Sequence, residues 1–122
     1  MKEFENQLKK RSKDFALRVI KMIRTLPKDM DAQIIAKQLL RSATSVGANY
    51  RSACRAKSKK DFLYKINIVE EEADESLFWM ELLVEAEILK PNKLELLMKE
   101  CDELISIFTS IGKSTKQNLK SS

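Results

Sequence analysis

Apolar residues three and four positions apart recur along nearly the whole chain, and little interrupts them. Only two prolines and two glycines occur in 122 residues. A backbone so poor in breakers, carrying stripes of helical period, can hide those stripes only by packing helix on helix. The breakers divide the chain into four stretches. Pro27 closes the first, residues 56–60 form a turn after the second, and Lys90-Pro91-Asn92 separates the third from the fourth. Proline ends a helix because it cannot continue the hydrogen-bond ladder.

The spacing predicts a first helix over about 4–26, with Leu8, Phe15, Val19, Met22 and Leu26 inward. A second, capped by Asp29 or Asp31, runs to about 55 along Ile35, Leu39, Ala43, Val46, Tyr50 and Cys54. Beside that stripe lie the small polar residues Ser42, Ser45, Asn49 and Ser52. Gly47 costs this helix roughly 1 kcal/mol relative to alanine, and a close approach by a neighbouring backbone is its expected return. Ser58 followed by Asp61 resembles a capping arrangement at the start of a third helix, about 59–88. The fourth runs over about 91–112, with Gly112 as its stop, and the polar residues 113–122 are expected to be a disordered tail.

Four amphipathic helices with short connections predict an all-α, antiparallel up-down-up-down bundle in one domain, residues 1–112. That topology places the start of the first helix, the 56–60 turn and the tail at one end. Lys2, Lys9, Lys10, Arg11, Lys13, Arg51, Arg55, Lys57, Lys59, Lys60, Lys113, Lys116 and Lys120 gather there, against Glu3, Glu5, Asp14 and Asp61. The net charge of +5 is therefore expected to be strongly polarised. In the third helix, Leu77-Phe78-Trp79-Met80 covers almost a full circumference, extended by Leu82 and Val84. The neighbours inside one bundle cannot cover all of it. Phe78, Trp79 and Leu82 are thus expected at an interface between copies, the alternative being a partly exposed surface on a monomer.

Catalytic chemistry is not visible. There is no histidine, so the acidic run Glu70, Glu71, Glu72, Asp74 and Glu75 lacks the Glu-x-x-His pairs of a di-metal bundle. No metal, no cofactor and no enzymatic activity are expected. The carboxylates read instead as a solvated or ion-paired face. Pairing the second and third helices about their turn sets Arg41 opposite Glu72 and Ser42 opposite Glu71, and an Arg41–Glu72 or Arg41–Glu75 bridge would be a structural ion pair that fixes register. Cys54 and Cys101 occupy apolar helical positions and read as reduced core cysteines, with a disulfide or redox pair as the alternative. The charged N-terminus lacks the apolar core of a signal peptide, and no run is long enough to span a bilayer, so a cytoplasmic protein is expected.

The basic end is the remaining candidate site. Lys10, Arg11, Arg51, Arg55, Lys57, Lys59 and Lys60 would contact phosphates of RNA or DNA, with affinity that falls as salt rises. Phe62 and Tyr64 lie nearby but are expected to be interior or interfacial, which leaves base stacking unsupported. The alternative is a protein–protein scaffold or accessory subunit whose charge serves only solubility. No membrane partner is expected.

The run Gln38-Leu39-Leu40-Arg41-Ser42-Ala43-Thr44-Ser45-Val46-Gly47-Ala48-Asn49-Tyr50, then Ser58-Lys59-Lys60-Asp61-Phe62, Glu71-Glu72-Ala73-Asp74-Glu75-Ser76 and Trp79-Met80-Glu81-Leu82-Leu83, resembles a known family. It is the four-helix-bundle family encoded by intervening sequences within bacterial 23S ribosomal RNA genes. The resemblance implies a cytoplasmic bundle that assembles into a homopentameric ring. It also implies kinship with the accessory proteins of diversity-generating retroelements, which bind nucleic acid together with a reverse transcriptase. Arg41, Asn49, Glu72 and Glu75 fall on the family motif, where their role is packing between helices. Tyr50 and Arg51-Ser52 depart from many relatives and make the end of the second helix more basic.

Overall fold

Each breaker marks a helix end in the computed structural model, which describes residues 2–121. The elements are α1 (Lys2–Ile23), α2 (Met30–Ala53), α3 (Lys59–Glu85) and α4 (Pro91–Ser121), with no strand among the described residues. Helix α1 stops three residues short of the expected end. The residue before a proline avoids helical geometry, and the chain tightens into i→i−3 bonds, Thr25 N–H to Met22 O at 3.0 Å and Leu26 N–H to Ile23 O at 3.2 Å. Asp29 occupies the N-cap of α2 but its side chain accepts no capping bond, while Asp31 accepts from the Ala32 amide at 2.8 Å. At α3, Ser58 Oγ accepts from the Asp61 amide at 3.0 Å. The C-terminus of α3 closes by a Schellman turn, with Ile88 N–H to Leu83 O and Glu87 N–H to Val84 O both at 3.0 Å and Glu87 at φ 60.

The fourth helix overruns its expected stop. Gly112 has no positive φ and lies buried, with Ile66 and Asn67 of α3 against it. Beyond it, Thr115 and Leu119 stay half-buried, and Thr115 Oγ1 donates to Ile111 O at 2.8 Å. The expected tail is thus helical through Ser121, and Ser122 lies outside the described residues.

Cross-helix contacts fix an antiparallel register. Ser42 meets Ser76 while Arg51 and Lys65 line one groove between α2 and α3. Glu70 meets Thr109 and Ala73 meets Cys101 between α3 and α4. Gly47 lies over Ser12 between α1 and α2. Neighbouring pairs are therefore α1–α2, α2–α3 and α3–α4, with α4–α1 the loosest join. Phe15, Val19, Leu39, Val46, Ile66, Met80, Leu83, Leu94 and Phe108 fill the centre with no exposed surface. Each such side chain gains about 1.5–3 kcal/mol from leaving water.

The approach of α1 to Gly47 leaves room for a methyl group. A Cβ there would meet Ser12 O at 3.5 Å, an ordinary contact, so glycine is not sterically required. No described helix is long and apolar enough to cross a membrane.

Candidate nucleic-acid interface

The antiparallel order brings the α2–α3 turn beside the ends of α1 and α4. Two elements hold that turn. The end of α2 winds into short bonds, Arg55 N–H to Ser52 O and Ala56 N–H to Ala53 O, both 3.0 Å. Asp61 reaches back to accept the Lys57 amide at 3.2 Å, and this backbone donor, followed by Lys65, holds its carboxyl below the usual carboxylate range. On this frame Arg51, Arg55, Lys57, Lys59 and Lys60 all stand exposed. Among the described residues, no carboxylate forms an ion pair with any of them.

Lys59 and Lys60 sit in the first turn of α3, the positive end of its dipole. Cations there are disfavoured, so local helix energetics do not account for them. An anion outside the protein would relieve both the charges and the dipole.

Two shallow grooves flank this end of α3. Arg51, Ser52, Arg55 and Lys65 line one of about 270 Å³ between α2 and α3. Lys113 and Lys116 line the other, about 280 Å³ between α3 and α4, with Leu63, Asn67, Glu70, Thr109 and Gly112. Lys65, which pairs with Asp61 at 3.3 Å, was not among the residues singled out from sequence, although the α2–α3 register sets it opposite Arg51. Lys113 and Lys116 gain fixed positions only because α4 continues past Gly112.

The other two sequence-selected cations are differently engaged. Lys10 pairs with Asp14 at 2.8 Å on its own helix. Arg11 lays a fork on Glu100, Nε to Oε2 and Nη2 to Oε1 both at 2.7 Å, and also donates to Glu103 at 2.6 Å. These carboxylates, Glu100 foremost, raise the guanidinium pKa further above its ordinary range. Arg11 clamps α1 to α4 through these two carboxylates.

A cleft of about 510 Å³ opens at the same end, lined by Phe4, Tyr50, Cys54, Phe62 and Ile111 and by Glu5, Lys57 and Lys59. Burial, above other causes, pushes the Cys54 thiol and the Tyr50 hydroxyl up, so both stay protonated and neither is an activated nucleophile. Cys101, donating to Ala73 O at 3.2 Å, is pushed up to about 12 by burial. Both cysteines are free thiols. Among the described residues, no group of three or more potential ligands is placed to hold a metal ion.

Toward the opposite end, Arg41 Nη1 lies 3.1 Å from Glu72 Oε1, and Nη2 donates to Glu75. Trp79 Nε1 donates to the same Glu75 oxygen at 3.0 Å, and this indole bond, ahead of Arg41, holds the carboxyl low. Asn49 is half-buried and bonds along its own helix, donating to Ser45 O at 2.9 Å. Phe78 packs edge-on against Trp79, centroids 5.0 Å apart, yet remains 48% exposed. Leu82 is half-buried.

A family model described as 23S rRNA-intervening sequence protein matches residues 5–110. Among solved structures, the chain is similar to a protein of unknown function from the S23 ribosomal protein family of Bacteroides thetaiotaomicron. Identity is 36% over 89% of this chain and 97% of that one, with a TM-score of 0.82. None of the curated proteins matches the chain.

Proposed function

The chain belongs to the 23S rRNA-intervening sequence protein family, and from that premise we propose a non-enzymatic protein that binds RNA or DNA through its basic end. Support comes from one observation above the others: Arg51, Arg55, Lys57, Lys59 and Lys60 crowd one capped turn and, among the described residues, none of them forms an ion pair with a carboxylate. Such a surface costs self-repulsion in the free protein and is compensated by a polyanion. Lys113 and Lys116 extend it along α4. Contacts of this kind release counterions, so the affinity falls with a log–log salt slope of about 0.9 per duplex phosphate neutralised.

The test is binding of labelled RNA and DNA across a salt series, with Arg51→Glu/Arg55→Glu as the comparison. The reading requires measurable binding at low salt, a steep loss as salt rises, and a further loss in the double variant. Absence of binding to both nucleic acids at low salt overturns it.

The exposed ring of Phe78 supports a second element, contact with protein. In this reading Phe78, Trp79 and Leu82 meet other copies of the chain, giving the pentameric ring that the family resemblance implies. A reverse transcriptase or other protein partner would then engage the assembled ring in the cytoplasm. Sedimentation tests this directly: Phe78→Asp yields a smaller species than the parent chain, and a parent that is already monomeric overturns it. If the ring forms but nucleic acid does not bind, the protein acts as a scaffold.

A further inference from the structure

Tyr64 presents an aromatic ring at the basic end. It is 66% exposed, among the most exposed large apolar side chains, and makes no ring contact. Its surroundings are set by helix phase. Lys65 lines the α2–α3 groove, whereas Leu63 and Asn67 line the α3–α4 groove. Tyr64 therefore stands on the ridge between them, one helical turn after Lys60. A ridge one helix wide is about 10–12 Å across with its side chains. Arg51, Arg55 and Lys65 are on one side of it, and Lys113 and Lys116 on the other. Phe62 and Tyr64 part company because a two-residue step along a helix turns about 200°: Phe62 faces the terminal cleft, and Tyr64 is not interior but faces outward.

We infer that the basic end binds unpaired nucleic acid, with a base stacked on the Tyr64 ring and the neighbouring phosphates held in the two grooves. The inference rests on the nucleic-acid reading above and narrows its substrate. Within a duplex the base faces are already stacked on one another and a convex ridge cannot reach them. In a single strand every base offers a free π-face, so stacking on an exposed aromatic adds affinity without choosing a sequence. Water also gains from covering the ring, since an isolated tyrosine on a charged surface leaves apolar area wet. Single-stranded RNA and single-stranded DNA share this chemistry.

Anisotropy titrations of the full chain with labelled oligo(U), oligo(dT) and a duplex of matching length test it. Tyr64→Ala is expected to weaken both single strands by roughly tenfold to a hundredfold, and to leave the duplex within about twofold. Tyr64→Phe keeps the ring and retains the single-strand affinity. Circular dichroism establishes that each variant is folded, as an exposed site leads one to expect. Unchanged single-strand affinity in Tyr64→Ala overturns the stacking role; if Arg51→Glu/Arg55→Glu still abolishes binding, the broader reading stands. Equal losses on single strands and duplex also overturn it, since stacking cannot act on paired bases. No binding to any of the three probes removes both. Oligo(U) and oligo(dT) affected alike shows that the base face is what Tyr64 recognises, and an effect on neither shows that it is not.

Discussion

The hydroxyl of Ser76 lies 2.8 Å from that of Ser42, across the α2–α3 interface, with neither side chain exposed. Each is also within reach of a backbone carbonyl one turn back, Glu72 O at 2.9 Å from Ser76 and Leu39 O at 3.3 Å from Ser42. When one hydroxyl donates to the other, the second is left to donate its own hydrogen bond to its backbone carbonyl. The small side chains and their shared bond let α2 and α3 come close without leaving an unpaired polar atom.

That arrangement makes the pair forgiving. Removing either hydroxyl leaves the other a backbone acceptor, so Ser42→Ala and Ser76→Ala are each expected to cost about 1 kcal/mol, not the larger penalty of a stranded buried donor. The double variant should cost less than the sum. Urea unfolding of the four proteins in a double-mutant cycle measures the difference.

Acid should weaken the bundle through Glu75 and Asp61. Both carboxyls are held below their ordinary values, Glu75 by the Trp79 indole and then Arg41, Asp61 by the Lys57 amide and then Lys65. The unfolded chain therefore takes up protons first as pH falls. Their contribution is fully present above the ordinary carboxylate range, about pH 4, and is lost as pH drops through the lowered native values. Thermal melts between neutral pH and pH 3 should show this decline, and Glu75→Gln should flatten part of it.

Glu87 is the one described non-glycine residue with positive φ. It holds the left-handed position of the Schellman turn that ends α3, a place where a Cβ is strained. Glu87→Gly is expected to raise stability by about 0.5–1 kcal/mol. A higher urea midpoint at unchanged slope is the signature.

Gly47→Ala is expected to gain up to about 1 kcal/mol as well, through helix propensity. The methyl would rest at 3.5 Å from Ser12 O, so no backbone has to move. A loss of stability would mean that α1 sits closer to α2 than this geometry allows.

The stripes of all four helices were legible because Pro27, Pro91 and the 56–60 turn punctuate an otherwise unbroken pattern. The α2–α3 register could be read only to within about a turn: Arg41 does reach Glu72 and Glu75, but Ser42, expected opposite Glu71, meets Ser76. The Arg11 ion pair was not legible because its partner Glu100 is 89 residues away, and nothing local reveals that contact. The last turns of α4 looked like tail because only Thr115 and Leu119 carry the seam, too narrow a strip to register as amphipathic. Tyr64 was grouped with Phe62 by proximity in sequence, although the helix turns them to different surroundings.

The Arg11 fork closes the seam where the first and last helices meet, the loosest join in the bundle. α1 is tied to the body chiefly through α2 and through its buried Leu8, Phe15 and Val19, so breaking the fork on Glu100 and Glu103 loosens only its edge against α4. In a hydrogen-exchange experiment the α1 amides around Arg11 would then lose protection ahead of those of the α2–α3 pair. Because the fork is partly exposed, added salt would slacken this seam well before it touched the apolar core.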